Sequence, residues 1–190
     1  DLRALSFVAQ YFERAPASLS TLLSNHDSFA GQRVHDQVEG DTAVYRLAAA
    51  MYLLLPGTPF IYYGEEVGKA GHPGLPPDPG LRTPMSWTAD LQNAGFTPGR
   101  PYRPPAPNVA THNVAQQRAD AGSLHAHYRA LLALRNGRPS IAQGSHEAGA
   151  VQGASWVFHR RLASEHTVVV VNTGLGEATV PLGGLPTHAA

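Results

Sequence analysis

The 190 residues carry 14 basic and 14 acidic side chains, no cysteine, and 43% hydrophobic residues. The balanced charge argues against the basic footprint of a nucleic-acid binder. The absence of cysteine excludes disulfide scaffolds, thiolate metal sites and thiol catalysis. Apolar runs such as Leu47–Leu55 fall far short of the roughly 20 residues that span a bilayer, while the length suffices for one or two domains with a sizeable core.

Asp1–Arg14 reads as part of an amphipathic helix, with Leu2, Leu5, Val8, Ala9 and Phe12 on its apolar face. A chain opening inside such an element looks cut from something longer. Ala15-Pro16-Ala17-Ser18 breaks the pattern. Leu19–Leu23 then reads as a short buried strand, followed by Asn25-His26-Asp27 and a polar loop to Gly40. Asp41 is placed to cap a helix whose apolar stripe is Val44, Leu47, Ala48, Met51, Leu54 and Leu55. Pro56-Gly57 stops it, and Thr58–Tyr63 is a second strand ending in Gly64-Glu65-Glu66. A strand–helix–strand unit of this kind implies parallel strands with a right-handed crossover.

Gly68–Asn113 is a long loop rich in Pro and Gly, with Arg82, Met85, Trp87, Phe96 and Tyr102 expected as anchors that keep it ordered over one end of the sheet. Ser123 caps a further helix, with Leu124, Tyr128, Leu131 and Leu132 on one face and Arg135 in its last turn, where a cation suits the helix dipole. Asn136-Gly137 and Pro139 end it. Trp156–Arg161, Thr167–Asn172 and Ala178–Leu182 read as short strands, the start of a β-rich region.

Strand C-termini carry the chemistry of parallel α/β folds. Asn25-His26-Asp27 stands at one such end and Tyr62-Tyr63-Gly64-Glu65-Glu66 at the next. Carboxylates beside an imidazole and tyrosines suit a hydroxyl-rich ligand, which needs fixed donors, acceptors and aromatic walls. Each cluster alone is equally compatible with a loop cap or the opening of a helix.

Leu23-Ser24-Asn25-His26-Asp27 resembles the α-amylase family segment at the end of the seventh barrel strand. Gly57–Glu66 resembles its eighth-strand segment. Arg82-Thr83-Pro84-Met85-Ser86-Trp87 is similar to a loop of its α-glucosidase, oligoglucosidase and trehalose-synthase-like branches. The three occur in the family's order, from Leu19 to Asn136.

The resemblance implies an α/β fold: residues 1–138 as the C-terminal part of a (β/α)8 TIM barrel, and residues 139–190 as a β-rich, sandwich-like domain C that is incomplete. It implies a retaining α-glycosidase or transglycosylase acting on α-glucosidic bonds of malto-oligosaccharide-like substrates. Asp27 takes the place of the carboxylate that stabilises the transition state. His26, Asn25, Arg33 and Tyr63 are the expected substrate-binding residues, with Glu66 and Glu65 organising the site from behind. The nucleophile Asp and acid/base Glu of the family lie on earlier strands, so the chain by itself is expected to be inactive and poorly stable without the N-terminal part of the same barrel. No cofactor or metal site is expected in this segment, while Ca2+ stays open for a complete enzyme. An α-glucan or oligosaccharide is the expected partner, with neither nucleic acid nor membrane. A catalytically inactive sugar-binding or scaffold relative, or a truncated remnant, are the alternatives.

Overall fold

The computed structural model describes residues 2–14 and 19–181. The predicted break at Ala15–Ser18, the side chains of Leu5, Val8 and Ala9, and Leu182 lie outside the described residues. The elements run α1 (Leu2–Arg14), β1 (Ser20–Thr21), α2 (Val34–Gln37), α3 (Thr42–Leu54), β2 (Thr58–Pro59), α4 (Pro77–Leu81), α5 (Val114–Ala119), α6 (Leu124–Gly137), α7 (Pro139–Gln143), β3 (Ser145–Gln152), β4 (Ser155–Leu162) and β5 (Glu165–Asn172). They divide into two compact units. One holds residues 1–21, 53–58 and 133–190, the other 22–52 and 59–132.

In the first unit, β3, β4 and β5 form an antiparallel sheet with β4 in the middle. Trp156 and Phe158 are fully buried on β4, opposite Val171 and Val169 of β5. Aromatic and β-branched cross-strand pairs of this kind stabilise a sheet. The sequence pattern does not reveal β3. Its register against β4 slips between Ala148 and Val151, where Gly149 lies so close to Val157 that an added Cβ would sit 2.0 Å from the Val157 carbonyl oxygen. The bulge interrupts the alternation that marks a strand. Conversely, Ala178–Pro181 forms no strand. Arg135 does more than complement a helix dipole: its guanidinium donates to the carbonyls of Leu53 at 2.7 Å and Leu55 at 2.9 Å, and also to that of Gly57. It therefore ties together the chain reversal at the end of α3.

In the second unit, the Asp41 carboxylate accepts from the backbone N–H groups of Ala43 and Val44 and starts α3 as predicted. The buried face of α3 differs in phase from the predicted stripe. Tyr45, Ala49 and Tyr52 are buried, while Val44 is about half exposed. The period is helical, but two tyrosines take the inner face because their hydroxyls find a buried acceptor there. α6 begins at its predicted cap, with the Ser123 hydroxyl accepting from Ala126 N–H at 3.1 Å, and it buries Leu124, Tyr128 and Leu131.

The long segment between β2 and α5 is ordered by its polar residues more than by its aromatics. Asn108 accepts from Ala70 N–H and donates to the Gly68 carbonyl, and fully buried Asn113 caps α5 through Gln116 N–H. Of the expected anchors, Met85 is buried, but Trp87 and Phe96 are about half exposed and Tyr102 is 94% exposed.

Candidate active site

Asp27 follows β1 in a turn that its neighbour shapes. The Asn25 Oδ1 accepts from Asp27 N–H at 2.7 Å, and a single 3-10 turn, Ser28–Ala30, begins directly after. An Asx turn of this type holds the backbone so that the next side chain projects in a fixed direction. His26 Nε2 lies 3.2 Å from Asp27 Oδ2, with side-chain exposures of 63% and 32%. The pair is open to solvent and free to meet a ligand.

The second carboxylate oxygen is held by Arg82. Its Nη2 donates to Asp27 Oδ1 at 2.7 Å and to Asp78 Oδ2 at 3.0 Å, while its Nε donates to the His26 carbonyl at 2.8 Å. Asp78 in turn accepts from Ser28 N–H at 2.8 Å, and these bonds from Ser28 hold its carboxyl below the usual carboxylate range. Arg82 is legible in the sequence as a motif residue and loop anchor, but not as the partner of Asp27. The signal available is its place four residues after Asp78, the spacing at which an acid and a base meet on one helical face.

Arg33 is a correction. The expected sugar ligand, able to pair with a site carboxylate, is instead 1% exposed. Its Nε donates to the Leu81 carbonyl at 3.0 Å, and its guanidinium lies over the rings of Tyr62 and Tyr63 at 4.0 and 4.6 Å. It also donates to the Tyr63 carbonyl at 2.5 Å. Burial lowers its pKa, and the stacked tyrosines oppose that shift. Tyr63 is part of the same stack. Its hydroxyl donates to the Thr83 carbonyl at 2.7 Å, so its polar tip is engaged, while the residue stays 38% exposed.

Lys69 is buried beside this stack. Its Nζ donates to the Thr83 hydroxyl and lies 5.4 Å from the Tyr63 ring centre. Desolvation, helped by the nearby Arg33 charge, lowers its pKa to about 6. Gly64 leaves room for its stem: an added Cβ there would meet Lys69 Cδ at 2.6 Å, and the backbone at Gly64 is left-handed.

Glu65 is 2% exposed. Its Oε1 accepts from Tyr52 at 2.6 Å and Tyr128 at 2.9 Å, and its Oε2 accepts from Ser24 at 3.3 Å. Tyr45 donates to its backbone carbonyl at 2.8 Å. Burial pushes the Glu65 pKa up, and the hydroxyl bonds hold it down in part. The half-buried Glu66 has one carboxylate oxygen, Oε2, without a hydrogen-bond partner among the described residues. Among those residues no group of three or more His, Asp or Glu side chains gathers to hold a metal ion.

The arrangement therefore separates two jobs. A solvent-facing His–Asp pair, braced by Arg82, can accept and donate hydrogen bonds to neighbouring hydroxyls of a ligand. A buried Glu–Tyr–Tyr–Ser cluster ties the segment after β2 to α3 and α6. The pair stands at a strand end, where α/β folds as a class carry their ligand sites.

The comparisons narrow the class. The family model for the α-amylase catalytic domain matches residues 5–144, and the chain belongs to the α-amylase family. It is 35% identical over 151 residues to the trehalose synthase/amylase TreS of Mycobacterium tuberculosis, a match covering 74% of this chain and 25% of that protein. It is 29% identical over 210 residues to the oligo-1,6-glucosidase of Parageobacillus thermoglucosidasius, covering 89% of this chain and 36% of that one. The chain thus spans about a quarter to a third of the length of these relatives. A trehalulose synthase in complex with Tris superposes with a TM-score of 0.73 at 25% identity, over 88% of this chain and 38% of the other. An isomaltulose synthase from Erwinia rhapontici in complex with D-glucose does so with a TM-score of 0.67 at 26% identity, over 80% and 34%. These neighbours are (β/α)8-barrel enzymes of the same family.

Proposed function

We propose that the chain forms the C-terminal part of a retaining α-glycosidase or transglycosylase that acts on α-glucosidic bonds of short, malto-oligosaccharide-like substrates. In this reading Asp27 is one of three carboxylates at the reacting sugar. The nucleophile and the acid/base stand on barrel strands other than those formed by these 190 residues. β3–β5 begin a β-rich domain C that follows the barrel.

The observation that carries the reading is the open Asp27–His26 pair, aimed by Asn25 and backed by Arg82. A retaining glycosidase passes through an oxocarbenium-like transition state to a covalent glycosyl-enzyme. As the ring flattens, hydrogen bonds from its hydroxyls to an ionised carboxylate shorten. Only interactions that strengthen in this way accelerate the reaction. Asp27 accepts from two adjacent hydroxyls and the His26 imidazole donates to one of them. Glu65 takes no part in proton transfer, because its oxygens are already occupied by Tyr52, Tyr128 and Ser24. It fixes the floor on which the β2 segment rests.

The test is made on the complete natural protein with maltose, trehalose and isomaltose as substrates. Asp27→Asn, nearly isosteric, should lower kcat/KM by about a thousandfold or more, the scale expected when a charged transition-state contact is lost. Proton NMR of the first-formed sugar should show retained configuration. Turnover unaffected by Asp27→Asn would sink the reading. Sugar binding without turnover in the wild type would leave a non-catalytic relative.

A further inference from the structure

The contact that stands out is made by a single nitrogen. Arg82 Nη2 has two hydrogens and gives one to Asp27 and one to Asp78, at 2.7 and 3.0 Å. The other oxygen of Asp78 accepts from Ser28 N–H at 2.8 Å, and Arg82 Nε holds the His26 carbonyl at 2.8 Å. Asp27 is therefore bracketed on both sides in sequence. The residue before it is held by Arg82 and the residue after it by Asp78.

The sequence makes Asp78 a rigid brace. It lies between Pro77 and Pro79 in α4, with Pro76 immediately before. Each proline ring fixes its own φ near −65°, so three of the four residues Pro76–Pro79 lose that freedom before folding. Asp78 then meets Arg82 at i, i+4, with the acid N-terminal to the base, the favoured order on a helix. Surface ion pairs of this exposure contribute little to stability, so a preorganised one at this place calls for another reason.

We infer that Asp78 is a positioning residue: acting through Arg82 and Ser28, it fixes the direction in which Asp27 presents its carboxylate to the sugar. Asp78 itself does not touch the substrate. Without it, the Arg82 guanidinium swings on its long stem, and the turn carrying Asp27 loses its tie at Ser28. A small loss of aim is costly, because displacements of about 1 Å can cost about a hundredfold in rate. The inference rests on the proposed glycosidase reading and extends it to a residue outside the three motif segments.

The experiment is a double-mutant cycle in the complete natural protein, read as kcat and KM on a short α-glucoside. Asp78→Ala should lower kcat by about tenfold, with KM moving less than about threefold, since a misaimed Asp27 weakens the transition state more than the ground state. In an Arg82→Lys background the same substitution should cost less than about twofold, because coupled residues are not additive. Asp78→Asn, which keeps an acceptor for Ser28 N–H, should recover part of the loss, and it replaces the alanine variant in the cycle if that variant folds poorly. Equal losses in both backgrounds, or no loss of kcat in the wild-type background, would overturn the inference while leaving the glycosidase reading intact. A wild type without turnover on any α-glucoside sinks the reading and the inference together.

Discussion

Glu65 and Asp27 each follow a strand of the same two-stranded pair, β2 and β1, yet their surroundings have little in common. Glu65 is sealed from water and surrounded by hydroxyl donors brought from distant parts of the chain, Ser24, Tyr52 and Tyr128. Asp27 is one-third exposed, and its partners are His26 beside it in sequence and Arg82. A buried carboxylate with every oxygen engaged has no capacity left for a ligand. A half-open one, braced on one oxygen by a cation and flanked on the other by an imidazole, keeps acceptor sites free. Acidity near a strand end is thus no guide to chemistry. What distinguishes structure from function is who occupies the lone pairs.

The largest test of this contrast is the loss of Glu65. Glu65→Ala strips the acceptor from three hydroxyls and leaves a cavity. The expected destabilisation is about 3 kcal/mol, or a melting midpoint lower by roughly 10 °C in the protein carrying these residues. Glu65→Gln keeps a carbonyl for the two tyrosines and an amide that can donate to Ser24, and should stay within about 1 kcal/mol of wild type. Calorimetry of both variants decides. An alanine variant as stable as wild type would remove Glu65 from its structural role.

A pH-dependent effect is carried by the buried amine of the same unit. Burial and the neighbouring Arg33 bring Lys69 from an ordinary pKa of 10.5 to about 6, opposed by Asp36. Between those values the unfolded chain binds a proton that the native state does not, so this group makes stability rise with pH across that window. Lys69→Met removes the titration. The stability gap between the variant and wild type, measured as urea midpoints from about pH 6.5 to about pH 9.5, should therefore favour the variant most at the low end and narrow as pH rises. A gap independent of pH would show that Lys69 titrates normally.

What could be read in the sequence divides along similar lines. The Asn25-His26-Asp27 turn, the caps at Asp41 and Ser123 and the helices they start are legible, because each rests on residues within a few positions of one another. The burial of Glu65 is not, since its partners lie 13, 41 and 63 residues away. The inner face of α3 escapes for the same reason: Tyr45 and Tyr52 face inward only because an acceptor waits there. Arg33 and Arg82 exchange their expected roles. Arg33 is closer to Asp27 in sequence, but its neighbours Tyr62, Tyr63 and Leu81 enclose it, and the distant Arg82 reaches the carboxylate. β3 stays hidden because its bulge at Gly149 breaks the period of two on which strand recognition depends.

The smallest expected effect sharpens the contrast most. Asp27 is partly solvated, and its pair with Arg82 is half open on both sides. Exposed pairs of this kind contribute about 0–1 kcal/mol. Asp27→Asn should therefore shift the unfolding free energy by less than about 1 kcal/mol, against about 3 for Glu65→Ala, while lowering kcat/KM by about a thousandfold or more. Stability and activity measured on the same preparations would place the two carboxylates at opposite corners of that comparison. If Asp27→Asn were instead to destabilise the protein as severely as Glu65→Ala, the Arg82 bracket would be a structural latch. Asp27 would then lose its claim to a free carboxylate oxygen, and with it the physical argument for a sugar-facing role.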